Sequence, residues 1–212
     1  MDNPVRSALI FTGGFCRTER LSPEELRADL VIAADCGRLN AEQCGVTPDI
    51  IAGDFESSAP PENTGSARLI RVPAEKDVTD TMLACDLAIR EGARRIRILG
   101  GTGGRADHAL SNVFMLENLR QRGVIAEICD GENRIRLLSD ESCLLTRTHY
   151  RYFALLALED ACATITGCKY PLSRAPLTRS LPYAVSNEIT SPQACVTVEG
   201  GPVLLIESGE AQ

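Results

Sequence analysis

Over the first 130 residues, short apolar runs alternate with stretches of helical periodicity. Ala8–Phe11, Leu30–Ala34, Asp49–Ala52, Leu69–Val72, Ile96–Leu99 and Val124–Ile128 are short, mostly apolar runs, and each reads as a strand. Ser22-Pro23-Glu24-Glu25 has the form of a helix start, with Ser22 as N-cap, Pro23 at the first helical position and Glu25 at the third. A short helix is expected to run up to Gly45. From Val78 to Arg90 the apolar positions Val78, Met82, Leu83, Leu87 and Ala88 fall on one helical face. Leu110–Leu119 reads as another helix. Strands alternating with helices predict an α/β domain: a Rossmann-like, mainly parallel sheet with helices on both faces.

After Asp130-Gly131 the pattern changes. Arg134–Leu138, Tyr150–Leu158, Ala161–Thr166, Ala194–Val198 and Val203–Ile206 are strand-like, and no long helical period separates them. Pro171, Pro176, Pro182 and Pro192 punctuate the loops. A smaller all-β sandwich is expected here, which divides the chain into domains at 1–130 and 131–212.

In open parallel sheets, ligands bind beyond the carboxyl ends of the strands. Polar groups gather at those ends. Asp35 follows the run ending at Ala34, and Asp54 and Glu56 follow the one ending at Ala52. Gly100-Gly101-Thr102-Gly103-Gly104, with Arg105, Asp107 and His108, follows the one ending at Leu99. Lys76-Asp77-Val78-Thr79-Asp80 opens a helix. A hard cation such as Mg²⁺ takes carboxylate oxygens together with water and substrate phosphates. Asp54 and Glu56, two residues apart, point the same way in an extended segment. Asp77 and Asp80 share a helix face, although Asp77 also suits an N-cap and Asp80 a first-turn charge. Gly101 to Ala106 fits the G-x-G-x-x-A variant of the dinucleotide fingerprint, a pattern of low specificity. The loop offers backbone N–H groups and a helix start to phosphate, and Arg105 adds a guanidinium fork. Asp107 is a third metal ligand or the helix cap, and His108 a supporting group. No G-x-x-x-x-G-K-[ST] occurs, which excludes a Walker-type ATPase.

Composition narrows the picture. Hydrophobic residues make up 44% but aromatics only 4%, so the core must be aliphatic. A net charge of −7 without a basic run argues against nucleic acid and anionic membranes as partners. Nine cysteines without a C-x-x-C pair read as reduced thiols of a cytoplasmic protein, not as a zinc site. The N-terminal residues lack the pattern of a signal peptide, and the longest apolar stretch, Phe153–Leu158, is too short to span a bilayer.

Six motifs in order resemble the thiamine pyrophosphokinase family. They are Ala34-Asp35-Cys36-Gly37, Pro48-Asp49 through Gly53-Asp54-Phe55-Glu56-Ser57, Lys76 to Asp80, Gly100 to His108 with Asn112, Gly167 to Leu172, and Val185-Ser186-Asn187-Glu188. The resemblance implies Mg²⁺-dependent transfer of the pyrophosphoryl group of ATP to the thiamine hydroxyl, giving thiamine diphosphate and AMP. It also implies a homodimer whose thiamine site joins one subunit's sandwich to the other's catalytic domain. On this reading Asp54, Glu56, Asp77, Asp80 and Asp107 surround the metal. Asp54, Asp77, Asp80 and Arg105 serve catalysis, with Asp77 or Asp80 orienting or deprotonating the hydroxyl. Asp35, Gly37, Lys76, Gly103, Gly104, Arg105 and His108 bind the nucleotide. Ser186 and Asn187 bond the aminopyrimidine, and Tyr170 packs in the sandwich. Two residues depart from the family pattern: Glu56 replaces an Asp, and Cys36 a small residue. With no Trp present, aromatic contacts to thiamine fall to Tyr or Phe. A related pyrophosphokinase acting on a pterin alcohol and a non-catalytic sensor are the competing readings.

Overall fold

The computed structural model describes residues 6–54, 66–71 and 78–209. Glu56, Lys76 and Asp77 lie outside them. The fold is mixed α and β, and the chain divides into two units, Met1–Gly131 and Glu132–Gln212.

In the first unit, strands β1 (Ser7–Phe11), β2 (Leu30–Ala34), β3 (Ile50–Gly53), β4 (Arg68–Arg71), β5 (Arg95–Leu99) and β6 (Ile125–Cys129) lie close to the predicted positions. All neighbouring pairs are parallel, in the order β6-β5-β1-β2-β3-β4. The chain builds outward from β1 to β4, then returns to the other side of β1 for β5. The β1/β5 boundary is therefore the topological switch point, where a crevice opens beyond the strand ends.

Among the described residues three α-helices connect the strands: α1 (Gly37–Gln43), α2 (Asp80–Arg90) and α3 (Ala106–Gln121). Side chains alternate across the sheet. Leu9, Phe11, Val31 and Leu99 form one cluster with Ala41 of α1. Ile98 and Ile128 point the other way and come close to Gly101 beside Asn112 of α3. Both faces are thus covered, and the inner strands β1, β2 and β3 are buried nearly throughout.

The Ser22–Glu25 motif corrects one expectation. Its reciprocal hydrogen bonds do form: Ser22 N donates to Glu25 Oε2 at 2.8 Å, and Glu25 N donates to Ser22 Oγ at 3.3 Å. The segment nonetheless makes only a turn, because β2 begins at Leu30 and leaves no length to propagate a helix. Arg97 of β5 ties this turn to the sheet, donating to Glu24 O at 3.0 Å and Glu25 O at 2.8 Å while pairing with Glu127.

The second unit holds β7 (Asn133–Leu138), β8 (Glu141–Thr146), β9 (Tyr152–Ala157), β10 (Ala161–Thr166), β11 (Leu172–Leu177), β12 (Asn187–Glu188), β13 (Gln193–Gly200) and β14 (Val203–Ser208). Two antiparallel sets form, β12-β9-β14-β7 and β11-β10-β13-β8. Leu138, Phe153, Leu155, Val203 and Leu205 from the first share one apolar cluster with Leu145, Ile165, Leu177, Val196 and Val198 from the second. Glu207 continues the inward row of β14 and is buried, held by Arg134 at 2.7 and 2.8 Å and by Arg136 at 2.8 Å. A buried carboxylate persists only when its charge is paired in this way.

Candidate active site

A cleft of about 450 Å³ lies at the switch point. Its walls come from Thr12, Gly13 and Gly14 after β1, Asp35 and Cys36 after β2, and Gly100, Gly101, Gly103 and Gly104 after β5. The starts of α2 and α3 complete it through Thr79, Asp80, Arg105, His108 and Asn112.

The backbone loops are packed too tightly for side chains. A Cβ on Gly14 would lie 2.0 Å from Gly100 O, and one on Gly103 2.5 Å from Phe15 N. Buried polar groups hold these loops from behind. Thr12 Oγ1 donates to Leu99 O at 3.0 Å, and Asn112 Nδ2 donates to Gly101 O at 2.8 Å. Thr102 donates its hydroxyl to Asp130, whose carbonyl accepts from Arg17 N at 2.7 Å. Asp35 sits at φ 46°, in the left-handed region that Asp tolerates better than most residues, and its N–H donates to Ala52 O at 2.8 Å. Cys36 Sγ donates to its carboxylate at 3.3 Å.

Helix α2 begins at Asp80, not at Val78, because the Thr79 side chain accepts from Met82 N at 3.2 Å and caps it. The cap sets Asp80 in the first turn, where the residue lines the cleft.

Of the expected residues, the structure brings Asp35, Asp80, Gly103, Gly104, Arg105 and His108 to the cleft. Gly37 is placed differently. A Cβ there would lie 2.0 Å from Phe11 O, so its lack of a side chain serves the close packing of α1 on β1. Asp54 follows β3 directly, and its neighbour Gly53 abuts the Asp35 backbone, but Asp54 itself is not part of the cleft wall. Asp107 pairs with Arg105 at 2.6 Å, which holds its carboxyl below the usual range and raises the guanidinium. Among the described residues no three acidic, His or Cys side chains gather as a metal-binding group. Thr12, Gly13 and Gly14 were readable in sequence only as the end of a strand. The same strand-end logic that picked out Asp35 would have found them.

In the second unit, Ser186 is exposed and has φ 55°. Asn187 is 4% exposed, and its carboxamide is engaged within the protein. Its Oδ1 accepts from the N–H groups of Tyr170 and Glu188, each at 3.0 Å. Its Nδ2 donates to Tyr170 O at 2.8 Å and Cys168 Sγ at 3.4 Å. Asn187 therefore braces the 168–170 loop, and a contact with thiamine would require one of these bonds to break. Tyr170 is 56% exposed with the Lys169 ammonium 5.5 Å from its ring, so it is not packed in the core as expected.

A switch-point cleft walled by glycine loops, helix starts and carboxylates marks an α/β protein that takes a ligand at its strand ends. Sequence comparison gives the family. The thiamin pyrophosphokinase catalytic domain matches residues 24–128, and its vitamin B1 binding domain matches 136–202. Thiamine pyrophosphokinase of Bacillus subtilis is 30% identical over 186 residues, covering 84% of this chain and 87% of that protein. The crystal structure of a Bacillus subtilis thiamine pyrophosphokinase superposes with a TM-score of 0.84 at 26% identity, over 97% of this chain and 100% of that one. A thiamin pyrophosphokinase family protein of Enterococcus faecalis gives 0.80 at 28%, over 97% and 100%. The chain belongs to the thiamine pyrophosphokinase family, and its activity is that of a thiamine diphosphokinase.

Proposed function

We propose that the switch-point cleft takes the polyphosphate of ATP with Mg²⁺, and that pyrophosphoryl transfer to thiamine occurs there. The observation carrying this reading is a cleft that Asp35, Asp80 and Arg105 line together with the glycines of two strand-end loops. The donors are hard oxygens, Asp35 and Asp80 in the cleft with Asp54 beside it, and that chemistry suits Mg²⁺. Glu56 and Asp77, outside the described residues, and Asp107 are the remaining ligands on this reading. Bound there, Mg²⁺ would neutralise charge on the phosphoryl oxygens.

The chain's own groups supply position and polarity, which carry most of phosphoryl-type catalysis. The Gly100–Gly104 loop and the start of α3 offer N–H groups to phosphate. Arg105 is exposed and can swing from Asp107 to a phosphate oxygen. Lys76 would add a second cation. Asp80, or Asp77, orients or takes the proton of the thiamine hydroxyl as it attacks the β-phosphorus and AMP departs.

The second unit, read as a β-sandwich following a Rossmann-like domain, would take thiamine. Its two antiparallel sets sharing one apolar cluster support that reading. Ser186 and the exposed ring of Tyr170 would face the vitamin, with Asn187 holding their loop. Exposed Leu181, Tyr183 and Val185 beside Ser186 suit coverage by a second copy, which supports a homodimer. Nine free thiols suit a reducing, cytoplasmic setting, and no described helix is long and apolar enough to cross a membrane.

Asp80→Asn tests the assignment. Thermal melting should shift little, since a first-turn charge contributes about 0.3–1 kcal/mol. Turnover should fall by roughly 10²–10³-fold, the effect of removing one electrostatic stabiliser of a transition state. Wild-type turnover in the variant would remove the cleft from the mechanism.

A further inference from the structure

We infer that Asn40 is a positioning residue for the nucleotide, acting from behind the cleft wall; this rests on the ATP-cleft reading above. Asn40 lies on α1 and is not part of the wall. Its Nδ2 donates to two backbone carbonyls, Thr12 O at 2.7 Å and Gly14 O at 2.8 Å. These are the two carbonyls that flank Gly13, in the turn that forms one side of the cleft. Each must point toward α1 to accept from the same nitrogen.

The consequence is electrostatic. A carbonyl oxygen carries partial negative charge and repels a polyphosphate, whereas an N–H attracts it. With both oxygens drawn to Asn40, the Thr12–Gly14 turn cannot rotate them into the cleft. The turn and the amide also lie close against the opposite loop. A Cβ on Gly100 would lie 2.7 Å from Gly14 O and 3.2 Å from both Asn40 Nδ2 and Thr12 Oγ1. Gly14, Gly100, Thr12 and Asn40 thus interlock, and Asn40 supplies both hydrogen bonds that tie the turn to α1. An isosteric carboxylate at this position would place an anion against both carbonyls and drive the turn away from α1.

The test is steady-state kinetics of Asn40→Asp and Asn40→His, with ATP and thiamine varied separately and active sites titrated. Asn40→Asp should lower kcat/KM for ATP at least tenfold while KM for thiamine stays within twofold. Asn40→His retains a single N–H donor toward the turn and should fall between the variant and wild type. If Asn40→Asp does not fold, Asn40→His decides by the same split. Equal losses toward both substrates, or a lower melting temperature with unchanged kinetics per active site, would overturn the proposal. Absence of AMP formation by the wild-type protein would instead overturn the functional reading on which it rests.

Discussion

Ser186 and Asn187 are adjacent in sequence but have different work. Asn187 spends its carboxamide on the 168–170 loop, whereas Ser186 stays exposed. Ser186→Ala should therefore raise KM for thiamine by roughly tenfold, the loss of one hydrogen bond of about 1.4 kcal/mol, and leave KM for ATP unchanged. A change in the ATP constant alone would contradict this. The thiols diverge as sharply. Burial pushes Cys85 up to about 12, while Cys36 is half-buried on the cleft wall. Native alkylation at neutral pH followed by mass spectrometry should label Cys36 well before Cys85. The sign of the linkage also follows. A thiol whose folded pKa is raised favours the neutral form, so its contribution is intact below the ordinary thiol value of 9.0 and is lost as pH climbs from there toward 12. Urea midpoints should fall across that alkaline window. Residue type and strand position made Asp35, Asp80, Arg105 and His108 legible from sequence. The inward roles of Gly37, Asn40 and Asn187 were not legible, because which partner an amide finds, or what a missing Cβ avoids, is a three-dimensional fact.

At the level of elements, apolar runs located the six described strands of the parallel sheet, most clearly β1, β2 and β3, since strands buried on both faces must be continuously apolar. Edge elements were harder to read. β8 and β11 escaped notice because each flanks its sheet and buries only part of its length. β11 even carries Pro176, which an edge tolerates. The Ser22–Glu25 capping box formed its bonds without forming a helix, so local chemistry set the turn and tertiary spacing ended it. Two substitutions test the packing account. Gly37→Ala places a carbon 2.0 Å from Phe11 O and should abolish or severely weaken folding, seen as loss of soluble protein or of a cooperative transition. Glu207→Ala leaves Arg134 and Arg136 without their shared carboxylate and should cost about 3–5 kcal/mol in urea unfolding. A change under about 1 kcal/mol would mean the pair is solvated and not structural.

For the whole molecule, the change from alternating to all-strand texture near residue 130 announced two units, and the family match follows the same order, catalytic then vitamin B1 binding. Sequence could not show how the first unit's strand order reverses between β1 and β5, and that reversal creates the cleft. The division of labour predicts one chemical outcome. Incubated with ATP, Mg²⁺ and thiamine, the protein should release AMP and thiamine diphosphate in equal amounts, resolved and quantified by chromatography. ADP with thiamine monophosphate, or no AMP at all, would contradict pyrophosphoryl transfer at this cleft.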